Sequence, residues 1–127
     1  MSRRLLIDVM NVVGSKPDKW WNDPDRAVRR MLEVLDDHAG ATGAALTLVL
    51  DKDPGALPKP EHVDVVVARR KGRNAADHEI EQIVEGAEDP SAFTVVTFDK
   101  KLADKVRSFG AGVIGAGAFR EQVEAQR

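Results

Sequence analysis

The chain has 127 residues, of which 43% are hydrophobic and 31% charged, with a formal net charge of −2, as expected of one soluble globular domain spanning residues 1–127. The absence of cysteine excludes disulfides, cysteine-based zinc sites and thiol nucleophiles, and no apolar run is long enough for a signal peptide or a membrane span. We therefore expect a cytoplasmic protein without membrane contact, in which any phosphate binding depends on a local basic patch.

Strand-like and helix-like segments alternate along the chain. Short apolar runs predict five strands, at residues 5–7, 46–50, 63–67, 94–97 and 113–114. Apolar residues at helical spacing predict a helix from Pro24 that Gly40 ends, a second capped by Asn74, a third that ends at Gly110 and a last over residues 119–125. This alternation predicts an α/β fold with a mostly parallel central sheet of about five strands and helices on both faces.

Polar residues follow three of the predicted strands. Asp8 and Asn11 come after the first strand, Asp51 after the second and Asp99 after the fourth. Because ligands bind at the carboxyl ends of parallel strands, where the strand order reverses, we expect these residues to lie near a functional site.

The first turn of the second predicted helix adds a further carboxylate. At about 100° per residue, Asp77 borders the buried face that Ile80 defines, Glu81 lies on the same side and His78 points toward water. Asp77 is therefore expected at the same edge of the sheet, and Glu81 is an accessory candidate.

A cluster of Asp8, Asp77 and Asp99 would need charge balance. Unit charges about 5 Å apart at an effective dielectric near 20 repel by roughly 3 kcal/mol per pair. Such carboxylates either take up protons or hold cations, and hard oxygen ligands favour Mg²⁺ or Mn²⁺. We expect these three residues to bind the metal directly or through water, with Asn11 orienting Asp8 or the water.

Residues 69–73 carry four cations just before the acidic helix, namely Arg69, Arg70, Lys71 and Arg73. Phosphates of RNA are the ligand expected for this run, with the metal at the neighbouring carboxylates neutralising the scissile phosphate. A solvated loop without a specific ligand is the alternative.

Four stretches resemble, in order and spacing, the NYN domains of the PIN-like nuclease superfamily, particularly the YacP-like branch. They are LLIDVMNVVGS, NAADHEIEQIV, VVTFDKKL and FGAGVIGAGAF, and together they span nearly the whole chain. The resemblance implies a three-layer PIN-like fold and a ribonuclease that depends on Mg²⁺ or Mn²⁺. It implies site roles for Asp8, Asn11, Asp77 and Asp99. Asp51, which follows the second strand, and Thr97 are further accessory candidates.

The sequence departs from the family pattern at three places, because Val9-Met10 replaces Gly-Tyr, Phe98 replaces serine and His78 stands where a second acid is usual. These departures favour a second hypothesis, an RNA-binding NYN-type module without catalytic activity. RNA is the expected partner in both cases, and protein partners and a homodimer stay open.

Simpler structural roles compete for several of these residues. Asp77 and Asp99 could cap helices, Asp51 could form a turn and Asn11 could satisfy its own loop. Trp20-Trp21 is interpreted as a pair covering the core, with base stacking as the alternative.

A phosphoryl-accepting receiver domain is a further alternative, because Asp8, Asp51, Thr97 and Lys100 loosely resemble its site residues.

Overall fold

A five-stranded parallel sheet forms the centre of the computed structural model, which describes residues 3–55 and 59–126. The strands are β1 (Arg4–Asp8), β2 (Leu46–Leu50), β3 (Asp64–Val67), β4 (Phe93–Val96) and β5 (Gly112–Ile114). Every adjacent pair is parallel, in the order β3-β2-β1-β4-β5. The predicted parallel α/β sheet is therefore confirmed, with boundaries within one residue or two of those expected.

Helices cover both faces of this sheet. They are α1 (Val9–Val13), α2 (Pro24–Thr42), α3 (Ala75–Glu85), α4 (Lys100–Ser108) and α5 (Ala116–Ala125). No helix among the described residues is long and apolar enough to cross a membrane.

Alternating strand residues pack into two separate hydrophobic cores, one on each face of the sheet. Ile7 and Leu48 pack with α1, α2 and α5 on one face, whereas Leu6 and Val49 pack with α3 and α4 on the other. Because successive side chains of a strand point to opposite faces, a sheet buried on both sides needs continuous apolar runs. The result is the three-layer arrangement expected.

The strand order places the site. The chain runs outward from β1 through β2 to β3 and then returns to β4 on the other side of β1, so the order reverses between β1 and β4. Signalling receivers have the order 2-1-3-4-5. The receiver alternative is therefore wrong.

Two helix predictions need correction. The short helix α1 follows β1 directly and was not predicted, because five residues give too little periodicity to detect. Helix α2 continues past Gly40 and ends at Gly43, whose left-handed φ of 76° is the conformation that glycine adopts at helix ends. Gly40 instead allows close packing, since a Cβ there would lie 2.6 Å from Cδ2 of His62.

The two tryptophans divide their roles between core and surface. Trp20 packs against the core that includes α1 and α2, and Trp21 is 53% exposed with its ring edge-on to Trp20. This is the arrangement expected if the pair covers the core.

Candidate functional site

A cleft of about 460 Å³ lies at the carboxyl edge of the sheet, where the strand order reverses. It is lined by Asp8, Asn11, Asp51, Gly72, Arg73, Asn74, Asp77, Phe98 and Asp99. Carboxylates from four separate segments of the chain therefore meet here. We refer to Asp8, Asp51, Asp77 and Asp99 as the acidic cluster.

Asp8 is the most buried member of the acidic cluster. It ends β1, caps α1 by accepting a hydrogen bond from the Asn11 backbone N–H at 3.4 Å, and is only 2% exposed. Burial raises the pKa of Asp8 from its usual 3.8 to about 8, and a hydrogen bond to Asp77 and the charges of Asp77 and Asp51 add to the effect. A carboxylate here is costly unless a proton or a cation balances it.

Asp77 links the members of the cluster. Its pKa is also raised, first by burial and then by the charge of Asp99, a hydrogen bond to Asp99 and the charge of Asp51, although the hydrogen bond with Asp8 opposes the rise. Asp77 is therefore coupled electrostatically to the other members of the acidic cluster. A cation bound among these carboxylates would relieve their mutual repulsion.

Asp51 and Asp99 serve as helix caps as well as cleft residues. Asp51 Oδ1 accepts from the Ala76 backbone N–H at 2.9 Å and so caps α3 from the neighbouring strand, and Asp99 Oδ1 accepts from the Leu102 N–H at 3.0 Å. The turn role expected for Asp51 is wrong, since Asp53 makes that turn by accepting from the Gly55 N–H at 2.8 Å.

Asn74 stands at the N-cap of α3 without acting as a side-chain cap. Its backbone is left-handed, with φ of 63°, and its side chain makes no capping hydrogen bond. Because Asp51 satisfies that helix end, the predicted capping by Asn74 is wrong, and Asp77 remains available to the cleft.

Asn11 and Thr97 fasten the ends of β1 and β4 together. Asn11 Oδ1 accepts from Thr97 Oγ1 and from the Phe98 N–H, both at 2.8 Å, and Thr97 Oγ1 accepts from the Asp99 N–H at 3.1 Å. The side-chain oxygen of Asn11 is therefore occupied, and Asn11 contacts Asp8 through its backbone N–H instead. Of the two roles expected for Asn11, the contact with Asp8 is made by the backbone N–H, and orientation of the water stays a prediction.

The basic run 69–73 connects β3 to α3, and its members differ in their contacts. Arg69 is held by Glu79, which is 7% exposed and accepts from the Arg69 backbone N–H at 3.0 Å and from its Nη2 at 3.2 Å. These contacts hold the pKa of Glu79 below its usual range. Arg70, Lys71 and Arg73 are exposed, and Arg73 lines the cleft.

The sequence analysis assigned no role to Glu79, because its partner Arg69 lies ten positions away. Glu79 explains in part why acids follow the basic run, because it anchors one end of that loop.

Two other residues of α3 lie differently from the expectation. Glu81 lies one helical turn beyond Asp77 and does not line the cleft in the described part of the chain. His78 is half-buried rather than fully in water.

The donor chemistry of the cleft fits a hard divalent cation. No lysine or arginine among residues 3–55 and 59–126 lies within 4.0 Å of a carboxylate oxygen of the acidic cluster. Within the same residues, however, no three histidine, aspartate or glutamate side chains form a ready-made metal-binding group. An ion would have to draw the carboxylates closer or complete its shell with water and phosphate oxygens, as Mg²⁺ commonly does.

A larger cavity, of about 630 Å³, lies between α1, α2 and α5. Its charged residues include Arg120, which donates to Asp18 Oδ2 at 2.6 Å and to the carbonyls of Val12 and Val13. Because the three acids of its walls lie among four lysine and arginine residues, the smaller cleft with its excess of carboxylates is the better candidate for a metal site.

Comparison with known proteins agrees with this fold. The model of the YacP-like NYN domain matches residues 5–127. The crystal structure of Rae1 (YacP) from Bacillus subtilis has a TM-score of 0.75 at 23% identity, covering 98% of this chain and 75% of that chain. Its W164L mutant gives 0.74 at 21% identity, with 98% and 78% covered. No curated protein matches the chain.

Proposed function

Because the chain belongs to the YacP-like NYN domain family, as its motifs predict, we propose that it is a ribonuclease that hydrolyses RNA phosphodiester bonds with a divalent metal at the acidic cluster. The observation that carries this proposal is the meeting of Asp8, Asp51, Asp77 and Asp99 in one cleft, with no lysine or arginine of the described residues within 4.0 Å of their carboxylate oxygens. Excess negative charge of this kind is what a phosphate-cleaving metal site requires.

The residues of the acidic cluster and Asn11 have different roles in this proposal. Asp8, Asp77 and Asp99 would hold Mg²⁺ or Mn²⁺, with Asp51 adding negative charge while it caps α3. When bound, the cation supplies positive charge to the phosphate oxygens and acidifies the attacking water. Asn11, through its bonds to Thr97 and Phe98, keeps the two strand ends that carry Asp8 and Asp99 at a fixed separation.

Phosphate binding falls to the basic run and to the helix ends. Arg73 lines the cleft, Arg70 and Lys71 are exposed beside it, and Arg69 contributes from its position against Glu79. The N-termini of α3 and α4 also face this edge of the sheet, since Asp77 and Asp99 come from them. Asp51 and Asp99 each already accept from one N–H group of these helix ends, and the helix dipole favours a further anion there.

An RNA-binding module without catalytic activity is the second candidate. Two observations favour it, namely the lack of a ready-made metal-binding group among the described residues and the presence of His78 where the family usually has an acid. Such a protein would bind RNA through the same basic run and leave it intact.

Digestion of RNA by the purified protein tests the proposal. We expect cleavage with Mn²⁺ or Mg²⁺, none with EDTA, and loss of cleavage in Asp8→Asn and Asp99→Asn. The matched control is Asp104→Asn, which removes an exposed acid of α4 that is paired with Lys100 at 2.7 Å, and it should cleave like the wild type.

Each outcome selects one reading. Equal rates with EDTA and Mn²⁺, or full activity in Asp8→Asn, would refute the metal-dependent mechanism. RNA that is bound but never cut, with either metal, would select the binding module.

A further inference from the structure

The rim of the acidic cleft carries an exposed aromatic ring. Phe98 is 65% exposed, more than the other large apolar side chains exposed in the described residues, Trp21 at 53% and Val67 at 39%. Phe98 lines the cleft beside Asp99, whereas Trp21 does not. A phenylalanine in this position gains little from the core, and its place at the cleft leaves the ring accessible to a ligand bound there.

Hydrogen bonds fix the backbone from which this ring projects. The Phe98 N–H donates to Asn11 Oδ1 at 2.8 Å, the preceding Thr97 is buried, and the following Asp99 caps α4. The Cα of Phe98 is therefore held beside the acidic cluster. An aromatic side chain has only two rotatable bonds, so it loses little conformational entropy when a planar ligand covers it.

The charges around the cleft indicate which ligand would reach the ring. Arg73 and Phe98 both line the cleft, and Asp51 and Asp8 lie at the carboxyl ends of the two strands between β3, which leads to Arg73, and β4, which leads to Phe98. A nucleic-acid strand offers a phosphate for the cation and the arginine, and a flat base for the ring. Aromatic side chains hold single-stranded RNA by stacking on its bases.

We propose that Phe98 is a base-stacking subsite, which receives an unpaired base next to the phosphate that occupies the acidic cleft. This inference rests on the proposed function for the identity of the ligand and adds its class, single-stranded RNA. A base within a duplex is already stacked on its neighbours and does not present its face to Phe98. The site therefore selects unpaired nucleotides.

Fluorescence of a short single-stranded RNA that carries one 2-aminopurine tests the subsite. The titration uses Ca²⁺ in place of Mg²⁺, and recovery of the intact oligonucleotide on a gel shows that binding alone is measured. We expect the wild type to quench the probe, and Phe98→Ala to lose the quenching and to bind about 5- to 150-fold more weakly. Phe98→Trp should retain the quenching and the wild-type affinity. A duplex of the same sequence should bind the wild type and Phe98→Ala equally well.

Trp21→Ala is the matched control, because it removes another exposed aromatic ring that lies outside the cleft. It should bind and quench like the wild type. An RNA with one abasic position provides a second control: if the ring acts on that base, Phe98→Ala should cost no further affinity for the abasic strand.

The outcomes separate this inference from the proposed function. The stacking subsite alone would be refuted if Phe98→Ala kept the binding and quenching of the wild type. It would also be refuted if the losses of affinity caused by Phe98→Ala and by the abasic position added fully. A wild type that binds no RNA would overturn both proposals. Loss of quenching in Phe98→Ala from a protein that never cuts RNA would support stacking and refute only the nuclease.

Discussion

The buried charge of Asp8 gives a prediction about stability in the absence of metal. Asp8→Asn keeps the size of the side chain and an acceptor for the Asn11 N–H, and it removes the carboxylate. In EDTA, we expect the wild type to lose stability as the pH rises and Asp8→Asn to lose much less.

The sign follows from the two pKa values. The pKa of Asp8 is about 8 in the folded chain and close to 3.8 when unfolded, so the folded state binds the proton more tightly between these values. The stabilisation is fully present below pH 3.8 and is lost as the pH rises through about 8. Since Asp8, Asp77 and Asp51 interact, the effect belongs to the acidic cluster as a whole.

The magnitude is large for a protein of this size. Each pH unit within the window changes the unfolding free energy by about 1.4 kcal/mol, so the step from about pH 5.5 to 8 removes roughly 3 kcal/mol. Chains of 127 residues typically have unfolding free energies of about 6 to 19 kcal/mol. A fall in Tm on the order of 10 °C is therefore expected.

Thermal unfolding followed by circular dichroism across this pH range measures the effect. If Asp8 binds the metal as proposed, Mn²⁺ should restore the Tm of the wild type at high pH and do little for Asp8→Asn. Asp104→Asn should retain the wild-type dependence on pH, since its carboxylate is exposed. Parallel curves of Tm against pH for the wild type and Asp8→Asn would refute the reasoning.

Four further variants test the supports of the cleft and its basic run. Asn11→Ala removes the acceptor of the Thr97 hydroxyl and of the Phe98 N–H, and it should lower the unfolding free energy by about 1 to 3 kcal/mol. Urea unfolding measures the change, and an unchanged midpoint would contradict this prediction. Glu79→Ala should lower the unfolding free energy by a similar amount, because the backbone N–H of Arg69 loses its acceptor. Arg69→Ala keeps that backbone bond and should lower the unfolding free energy by less than about 1 kcal/mol. The reverse order would show that the exposed guanidinium is the more important partner of Glu79. The last variant replaces the three exposed cations Arg70, Lys71 and Arg73 by glutamine. It should lower the slope of log Kd against log salt concentration for single-stranded RNA by about 2. An unaltered slope would show that the RNA phosphates bind elsewhere.

Much of the architecture could be predicted from the sequence because it depends on local patterns. Continuous apolar runs indicated the five parallel strands, and Asp23 with Pro24 marked the start of α2, where Asp23 Oδ1 accepts from the Arg26 N–H. The positions of Asp8 and Asp99 directly after strands indicated the edge of the sheet on which they lie. Each of these inferences needs only residues that are near one another along the chain.

Contacts between distant residues decided the rest. Nothing near Asp51 indicates that it caps α3, nothing near Asn11 indicates its bonds to Thr97 and Phe98, and Glu79 gives no local sign of its bond to Arg69. These bonds depend on which strands are neighbours, and strand order is fixed by the packing of whole layers rather than by any short segment. The sequence by itself therefore determined which residues could carry the chemistry, whereas only the tertiary structure decided which of them meet in one cleft, which hold the backbone and which aromatic ring is exposed at the cleft.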